Sequence, residues 1–215
     1  MANGRLYIVF LASALVLNSC SDWRKSVDGS RSQKPPRQID FHKPKVFEKE
    51  YDDHRVEFEA LASYELTAHV AAVDRGPIDD WDFVAPVDIS FVWGTLTQPG
   101  YIQHTKFHLA KRYVSLRYSP PPGGARYPRD AVSSFANNHI ISPSPELKAV
   151  IDEIEPGDLV SLKGELVTLR IYDLNNRLVH TMKTSTTRAD KGNGACENIW
   201  LEEIYIHPKR DAKAE

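Results

Sequence analysis

Short apolar stretches rich in Val, Ile, Leu, Tyr and Phe recur along most of the chain, separated by Gly, Pro and Asp, which is typical of β-strands. The pattern predicts strands near residues 62–73, 87–96, 103–118, 159–172, 177–186 and 198–206. Asn175-Asn176 separates two of them and predicts a tight hairpin, because Asn tolerates positive φ. The acidic stretch 48–59 before the first of these strands is either a short helix or a strand.

One amphipathic helix interrupts the strands. Ser144 can cap its amino end, and Pro145 can be its first residue, where a missing N–H costs nothing. Apolar side chains then follow at helical spacing, at Leu147, Val150, Ile151 and Ile154. Pro156-Gly157 ends the helix. The apolar stripe predicts that the helix packs one face onto a sheet.

The strand after this helix changes phase at Gly164. One side of it carries Val160, Leu162 and Leu166, and the other side carries Val167, Leu169 and Ile171. A phase change beside a glycine predicts a bulge or bend, which curls a sheet. Three strands, a helix and two or more further strands is the order of an OB-fold. The sequence therefore predicts a mainly β body, a small and partly closed OB-like β-barrel with one amphipathic helix.

Composition limits the organisation of the chain. Its 215 residues contain 27 Lys and Arg against 29 Asp and Glu, so net charge selects no partner. Residues 21–45 are basic and poor in apolar side chains, which indicates a segment that cannot offset its ordering entropy. The predicted organisation is a signal peptide over 1–19, a lipid-anchored flexible tether over 20–45, the body over 46–207 and a disordered tail over 208–215.

A separate apolar run from Leu6 to Leu17 follows Arg5 and is too short to span a bilayer. It ends at Leu17-Asn18-Ser19-Cys20, which resembles the lipobox of bacterial lipoproteins. The resemblance implies lipid on the Cys20 thiol, cleavage before Cys20 and acylation of the new amine. By the rule of that family, Ser21 implies the outer membrane, with the body facing the periplasm. The alternative is an ordinary signal peptide followed by a cysteine by chance.

A second resemblance covers most of the body. The residues that carry it are Trp93-Gly94, Asn138-His139, Gly157-Asp158 through Leu166, Arg188, Asp190, Gly192 and Gly194-Ala195-Cys196-Glu197. Their order is similar to that of a family of bacterial envelope proteins of unassigned function. This resemblance implies a location in the cell envelope and contributes no activity.

The stretch from Ile89 to Arg129 contains no Asp or Glu but several cations interleaved with aromatic residues. Such a surface binds polyanions, because cations neutralise charge and rings stack on bases or sugars. The predicted ligand contacts on it are Trp93, Lys106, Lys111, Arg112 and Tyr113. Asn138, His139 and Arg188 are further predicted ligand-binding residues outside this stretch. The predicted location favours an anionic glycan, a lipid head group or a partner protein over nucleic acid. The alternative is a strand whose cations point outward while its aromatics fill the core.

Cys196 is the candidate catalytic residue. It follows a glycine-containing loop, and it could act as a nucleophile if His139 or His104 lies near as a base. A pocket that joins it to Asn138, His139 and Arg188 would favour this chemistry. The alternative for Cys196 is a small buried residue that opens the last strand, since cysteine is often buried. Likewise, the polar segment 133–139 can instead bond to backbone in a loop before the helix.

No cofactor or metal site is predicted. The carboxylates at Asp74, Asp79, Asp80 and Asp82 lack the spacing of an EF-hand loop, so a solvated turn is favoured over a calcium site. The leading hypothesis is an envelope binding or scaffold module rather than an enzyme. The alternative is a thiol-dependent enzyme or redox protein that uses Cys196.

Overall fold

The structure is a computed structural model, and it describes residues 23–25, 27–124, 126–187 and 195–209. Its strands are β1 Arg37–Tyr51, β2 His54–Asp74, β3 Val87–Val92, β4 Thr105–Ala110, β5 Tyr113–Tyr118, β6 Phe135–Ile141, β7 Leu159–Asp173, β8 Leu178–Met182 and β9 Glu197–Ile206. Its α-helices are α1 Pro99–Ile102 and α2 Pro145–Glu153. Four 3-10 helices cover Trp23–Lys25, Gly29–Ser32, Gly94–Thr97 and Ala131–Ser133.

Seven strands form one sheet in the order β1-β2-β3-β6-β9-β7-β8, and an additional pairing joins β2 to β7, so that the strands between the two edge strands form a partial ring. The ring strands are β2, β3, β6, β9 and β7. Neighbours are antiparallel except for β6 and β9, which are parallel. Helix α2 lies in the connection from β6 to β7. The predicted mainly β fold, with three ring strands, a helix and two further ring strands, is therefore confirmed.

Strand β2 contributes buried side chains to two core clusters. Ala62, Tyr64, Leu66, Ala68 and Val70 belong to the ring core, with Ile89, Phe91, Leu162 and Ile199 from the other ring strands. Val56, Phe58 and Ala60 belong to a second cluster that also contains Ile171 and Met182. Successive side chains of a strand point to opposite faces, and the β2–β7 register shifts between Ala60 and Ala62, where one cluster gives way to the other.

Helix α2 packs one face onto the core of the sheet, as predicted. The Ser144 hydroxyl accepts a 3.4 Å hydrogen bond from the Leu147 amide, which caps the amino end. Leu147, Ile151 and Ile154 pack against the ring core. At the carboxyl end, Arg75 donates to the carbonyls of Ile151 at 2.8 Å and Ile154 at 2.5 Å. A cation there satisfies carbonyls that have no partner within the helix.

The region from 103 to 118 differs from the prediction of one strand. It forms the hairpin β4–β5, a separate two-stranded sheet inserted between β3 and β6. Lys111 and Arg112 make its turn with φ of 50° and 63°, a left-handed conformation that non-glycine residues rarely adopt. The third ring strand is β6 instead, in a segment whose polar residues had suggested a loop. The hairpin predicted at Asn175-Asn176 is present, with φ of 58° at Asn176.

The predicted tether, residues 20–45, belongs to the folded body wherever the structure describes it. Residues from Arg37 onward pair with β2, so the body begins well before residue 46. The 3-10 helix at Gly29 lies so close to the body that a Cβ on Gly29 would be 2.6 Å from the Thr97 carbonyl oxygen. Trp23 and Val27 pack against a buried apolar cluster beside the ring. The segments 1–19 and 210–215 lie outside the described residues.

The bulge predicted at Gly164 is present, since the β7–β9 register shifts between Lys163 and Gly164. A Cβ on Gly164 would lie 2.3 Å from the Trp200 carbonyl oxygen, so the two strands must separate to admit it. We expect Gly164→Ala to lower the free energy of unfolding by about 1–3 kcal/mol. Urea denaturation measures this. Gly100→Ala is the control, because its Cβ meets no heavy atom within 4 Å, and equal effects would contradict the explanation.

Candidate functional site

A groove of about 650 Å³ lies on the outer face of the ring, where β2, β7 and β9 run side by side. Thr67, Ser161 and Tyr205 line it, because they alternate with inward-facing residues of the same strands. The segment 30–37, which leads into β1, forms the opposite wall. The groove therefore exists because the chain before β1 folds back onto the outside of the ring.

Cations outnumber carboxylates in this groove. Two of the four cations are paired: Arg37 with Glu65 at 3.5 Å and Lys163 with Glu203 at 3.3 Å. The other two are Arg31, which is half-buried, and Lys34, which is exposed. Neither of these has a carboxylate partner among the described residues. The groove thus carries a surplus of two positive charges on the wall formed by the segment 30–37.

A chain of hydroxyl and imidazole groups lies at one side of the groove. The Ser161 Oγ lies 2.7 Å from the Thr67 Oγ1 and 2.7 Å from the His207 Nε2. Burial lowers the pKa of His207, and the charge of Arg31 lowers it further, which favours the neutral imidazole. Tyr205 stands edge-on to it at 4.9 Å and is 56% exposed. These groups offer donors, acceptors and an open aromatic ring beside the two unpaired cations.

Most of the predicted ligand contacts do not form one surface. Trp93 is 2% exposed and packs in the ring core. Lys106, Lys111 and Tyr113 are exposed on the hairpin β4–β5. Phe107 of the same hairpin packs inward. In strand β4, Lys106 thus points outward and Phe107 points inward. This is the arrangement that the alternative to a binding face predicted.

Arg112 is buried in a network of carboxylates instead of facing a ligand. Its side chain is 11% exposed and donates to Asp79 through two nitrogens, at 2.7 and 2.9 Å. Further bonds reach Asp82 at 2.8 Å, Asp88 at 3.0 Å and the Ala85 carbonyl at 3.0 Å. The whole guanidinium fork is thereby used, which fixes the tip of the hairpin onto the ring.

Asp88 extends the network towards β6. It is fully buried and accepts hydrogen bonds from Asn137 at 3.1 Å and from the Nδ1 of His139 at 2.8 Å. The Cys196 thiol donates to the Arg112 carbonyl at 3.5 Å and lies 4.0 Å from the Asn137 Nδ2. Cys196 forms no disulfide within the described residues. Cys196 and His139 therefore belong to one cluster, which the tip of the hairpin contacts through Arg112.

Arg112 and Asp79 shift each other's pKa. Burial opposes the charge of Arg112, yet the hydrogen bond to Asp79 and the nearby carboxylates raise its pKa above the ordinary value. The hydrogen bond from Arg112 in turn lowers the pKa of Asp79. The turn that was predicted to be solvated thus holds an ion-pair network through Asp79 and Asp82. Among the described residues, no three His, Cys, Asp or Glu side chains are arranged to hold a metal ion.

The predicted pocket around Cys196 forms only in part. Asn138 points away from the cluster, is fully buried and donates to the carbonyls of Ile89 at 3.1 Å and Ala136 at 3.2 Å. This follows from the alternation of β6, which puts Asn138 and His139 on opposite faces of the sheet. Arg188 and the predicted lipidation site Cys20 lie outside the described residues.

Sequence reasoning placed the groove residues Arg31 and Lys34 in a flexible tether. Their basic character is visible in the sequence, but their position on the ring depends on the return of the chain over Thr97 and His69. Ser161 and His207 meet only through the register of β7 with β9. The sequence does carry one indication of the outer face. Ser161 is a polar residue between the apolar residues Val160 and Leu162, so it is expected to face outward.

Comparison of the chain with protein-family models, with curated proteins and with solved structures finds no significant match. The two resemblances drawn from the sequence therefore stay predictions. No helix in the described part of the chain combines the length and apolar character that crossing a bilayer requires.

We expect Arg112→Ala to lower the free energy of unfolding by about 3 kcal/mol, because it leaves three carboxylates without their shared cation. Urea denaturation at neutral pH measures the change. Arg117→Ala is the matched control, since Arg117 is exposed on the same hairpin and surface changes stay within about 0.5 kcal/mol. Similar losses in both variants would contradict the role of the network.

The network also predicts acid sensitivity. The folded pKa of Asp79 lies below its unfolded value, so its ionised form stabilises the fold at neutral pH. This contribution is lost as the pH falls below about 3.9 and through the lower folded pKa. We expect Asp79→Asn to be less stable than the wild type at pH 7 and to show a smaller further loss below about pH 4. If the free energy of unfolding falls equally with pH in both proteins across that range, the prediction is refuted.

Proposed function

We propose that the protein is a lipid-anchored binding module of the bacterial cell envelope that takes an anionic ligand in the groove of β2, β7 and β9. One observation carries the proposal: the two cations on the groove wall, Arg31 and Lys34, have no carboxylate partner among the described residues. Several other cations near the ring are paired, as Arg112 and Arg170 are. Unpaired cations facing a concave surface favour a ligand that brings negative charge.

The form of the groove narrows the ligand class. Hydrogen bonds from Arg and Lys to carboxylate or phosphate are the strong ones. The chain of Thr67, Ser161 and His207 suits the hydroxyl groups of a sugar or of a glycerol head group. The open ring of Tyr205 suits the apolar face of a sugar. We therefore favour an anionic glycan or a lipid head group, and a partner protein with an acidic surface is the third class.

The anchor is the lipid on Cys20 that the lipobox implies. It would hold the body at a membrane of the envelope, and Ser21 favours the outer membrane with the body in the periplasm. Nothing in the arrangement of the body favours nucleic acid in that location. The expected role is thus binding or scaffolding at the membrane surface.

The geometry does not favour the alternative of a thiol-dependent enzyme. The Cys196 thiol is partly exposed, and it donates to the Arg112 carbonyl. Among the described residues, the side chain of His139 is hydrogen-bonded to Asp88 and not to Cys196. A nucleophile needs a base within hydrogen-bond reach, and His139 does not supply one in this arrangement.

We expect the protein to bind a soluble acidic oligosaccharide, such as oligogalacturonate, or vesicles with phosphatidylglycerol. Affinity should fall as NaCl is raised from about 0.05 to about 0.5 M, because salt screens exposed charges. The double variant Arg31→Glu and Lys34→Glu should bind at least roughly tenfold more weakly, since each charged hydrogen bond contributes about 1.5–3 kcal/mol. Isothermal titration and vesicle sedimentation measure these changes.

The double variant Lys43→Glu and Lys183→Glu is the control, because it makes the same change in net charge at exposed positions outside the groove. It should bind as the wild type does. If neither ionic strength nor the substitutions at Arg31 and Lys34 changes the affinity, the groove is not the binding site.

A further inference from the structure

The groove lies close to the proposed anchor along the chain. Only two residues separate Cys20 from Trp23, the first residue that the structure describes. Three extended residues reach at most roughly 10 Å. The predicted tether of 25 residues would have let the body stand clear of the bilayer, but the packing of Trp23 and Val27 on the body leaves no such length. A lipid on Cys20 would therefore hold the body against the membrane surface.

The contacts of Trp23 and Arg24 show which part of the body meets that surface. Trp23 packs on Gly157, where a Cβ would lie 2.7 Å from the Trp23 Cβ. Arg24 donates to the Thr105 carbonyl at 3.0 Å. Gly157 lies two residues before the start of β7, and Ser161 in the groove is four residues further on, roughly 13 Å along an extended chain. The anchor and the groove thus share one end of the ring.

The segment between them continues on the same side. The Asp28 carbonyl lies 3.2 Å from the His69 Nε2, and His69 is two residues beyond Thr67 of the groove. Arg31 and Lys34 follow directly along the chain and line the groove. The unpaired cations are therefore near the membrane and within a few Debye lengths of its head groups, where anionic lipids attract basic residues.

We propose, on the basis of the lipid anchor and anion-binding groove above, that the groove binds phosphate-bearing head groups of the same membrane that holds the anchor. The ligand is a phospholipid with net negative charge, whose phosphate lies between Arg31 and Lys34 and whose glycerol hydroxyls meet Ser161 and His207. The occupied groove then fixes the orientation of the body. One face rests on the bilayer, and the far ends of β1, β2 and β7 point away from it.

This orientation assigns a second surface to the opposite end. His54 at the β1–β2 turn stacks on Phe83 at 4.9 Å, and Trp81 stacks on His180 at 4.3 Å. Leu174 in the β7–β8 turn is 77% exposed. With the groove on the membrane, these rings and turns would be presented to the aqueous side.

The test uses the full acylated protein, with the lipid on Cys20 verified by mass spectrometry, in phosphatidylcholine vesicles with or without phosphatidylglycerol. Hydrogen exchange of the amides in segment 27–37 is measured in both. We expect exchange to slow by roughly tenfold when phosphatidylglycerol is present, as basic residues near an anionic surface predict. The variant Arg31→Glu and Lys34→Glu should lose this protection, whereas Lys43→Glu and Lys183→Glu should keep it.

The outcomes separate this inference from the proposed function. Equal exchange with and without phosphatidylglycerol would overturn the inference. If the same protein still binds oligogalacturonate through Arg31 and Lys34, the binding function stands and its ligand is a glycan. If soluble glycerol 3-phosphate gives the protection without any effect of the vesicles, the groove recognises the free head group and the orientation on the bilayer is wrong. Near-ultraviolet circular dichroism of the variants checks that each one is folded.

Discussion

The pairing of β2 with β7 is the constraint on which the rest of the structure depends. The two strands pair along β2 from His54 to His69, and this pairing closes the ring. It brings the inner row of β2 against the other ring strands, so the core is enclosed by strands rather than by a second sheet. It also places Thr67 beside Ser161 on the outside. One ladder therefore sets both the core and the floor of the groove.

The two polar clusters on the outside of the ring differ in charge balance. Under the hairpin tip, one guanidinium meets three carboxylates and every donor has an acceptor, so the cluster acts as a clamp for β4–β5. The left-handed conformation of Lys111 and Arg112 has an energetic cost that these bonds offset. In the groove, by contrast, two cations have no carboxylate partner among the described residues. A satisfied cluster stabilises a fold, whereas an unsatisfied one at a surface favours a ligand.

The sequence allowed the fold class to be predicted because the strong signals are local. The cap at Ser144, the stripe of α2 and the phase change at Gly164 each arise within one element. The third ring strand could not be predicted, since its polar residues Asn137, Asn138 and His139 find their side-chain hydrogen bonds mainly on β3 and on Arg112, far away in the sequence. The groove was missed for the same reason. Basic residues before β1 have no local partner, and only the tertiary path of the chain gives them a position.

The position of β9 has a consequence for how the chain acquires its structure. β9 is the last strand in sequence, yet it lies between β6 and β7. Until it arrives, both of those strands present unpaired edges, and the ring has a gap that nothing earlier in the chain fills. Completion of the native state thus waits for the synthesis of the carboxyl-terminal part. A chain that ends before β9 therefore lacks the strand that joins β6 to β7, and its sheet keeps two exposed edges.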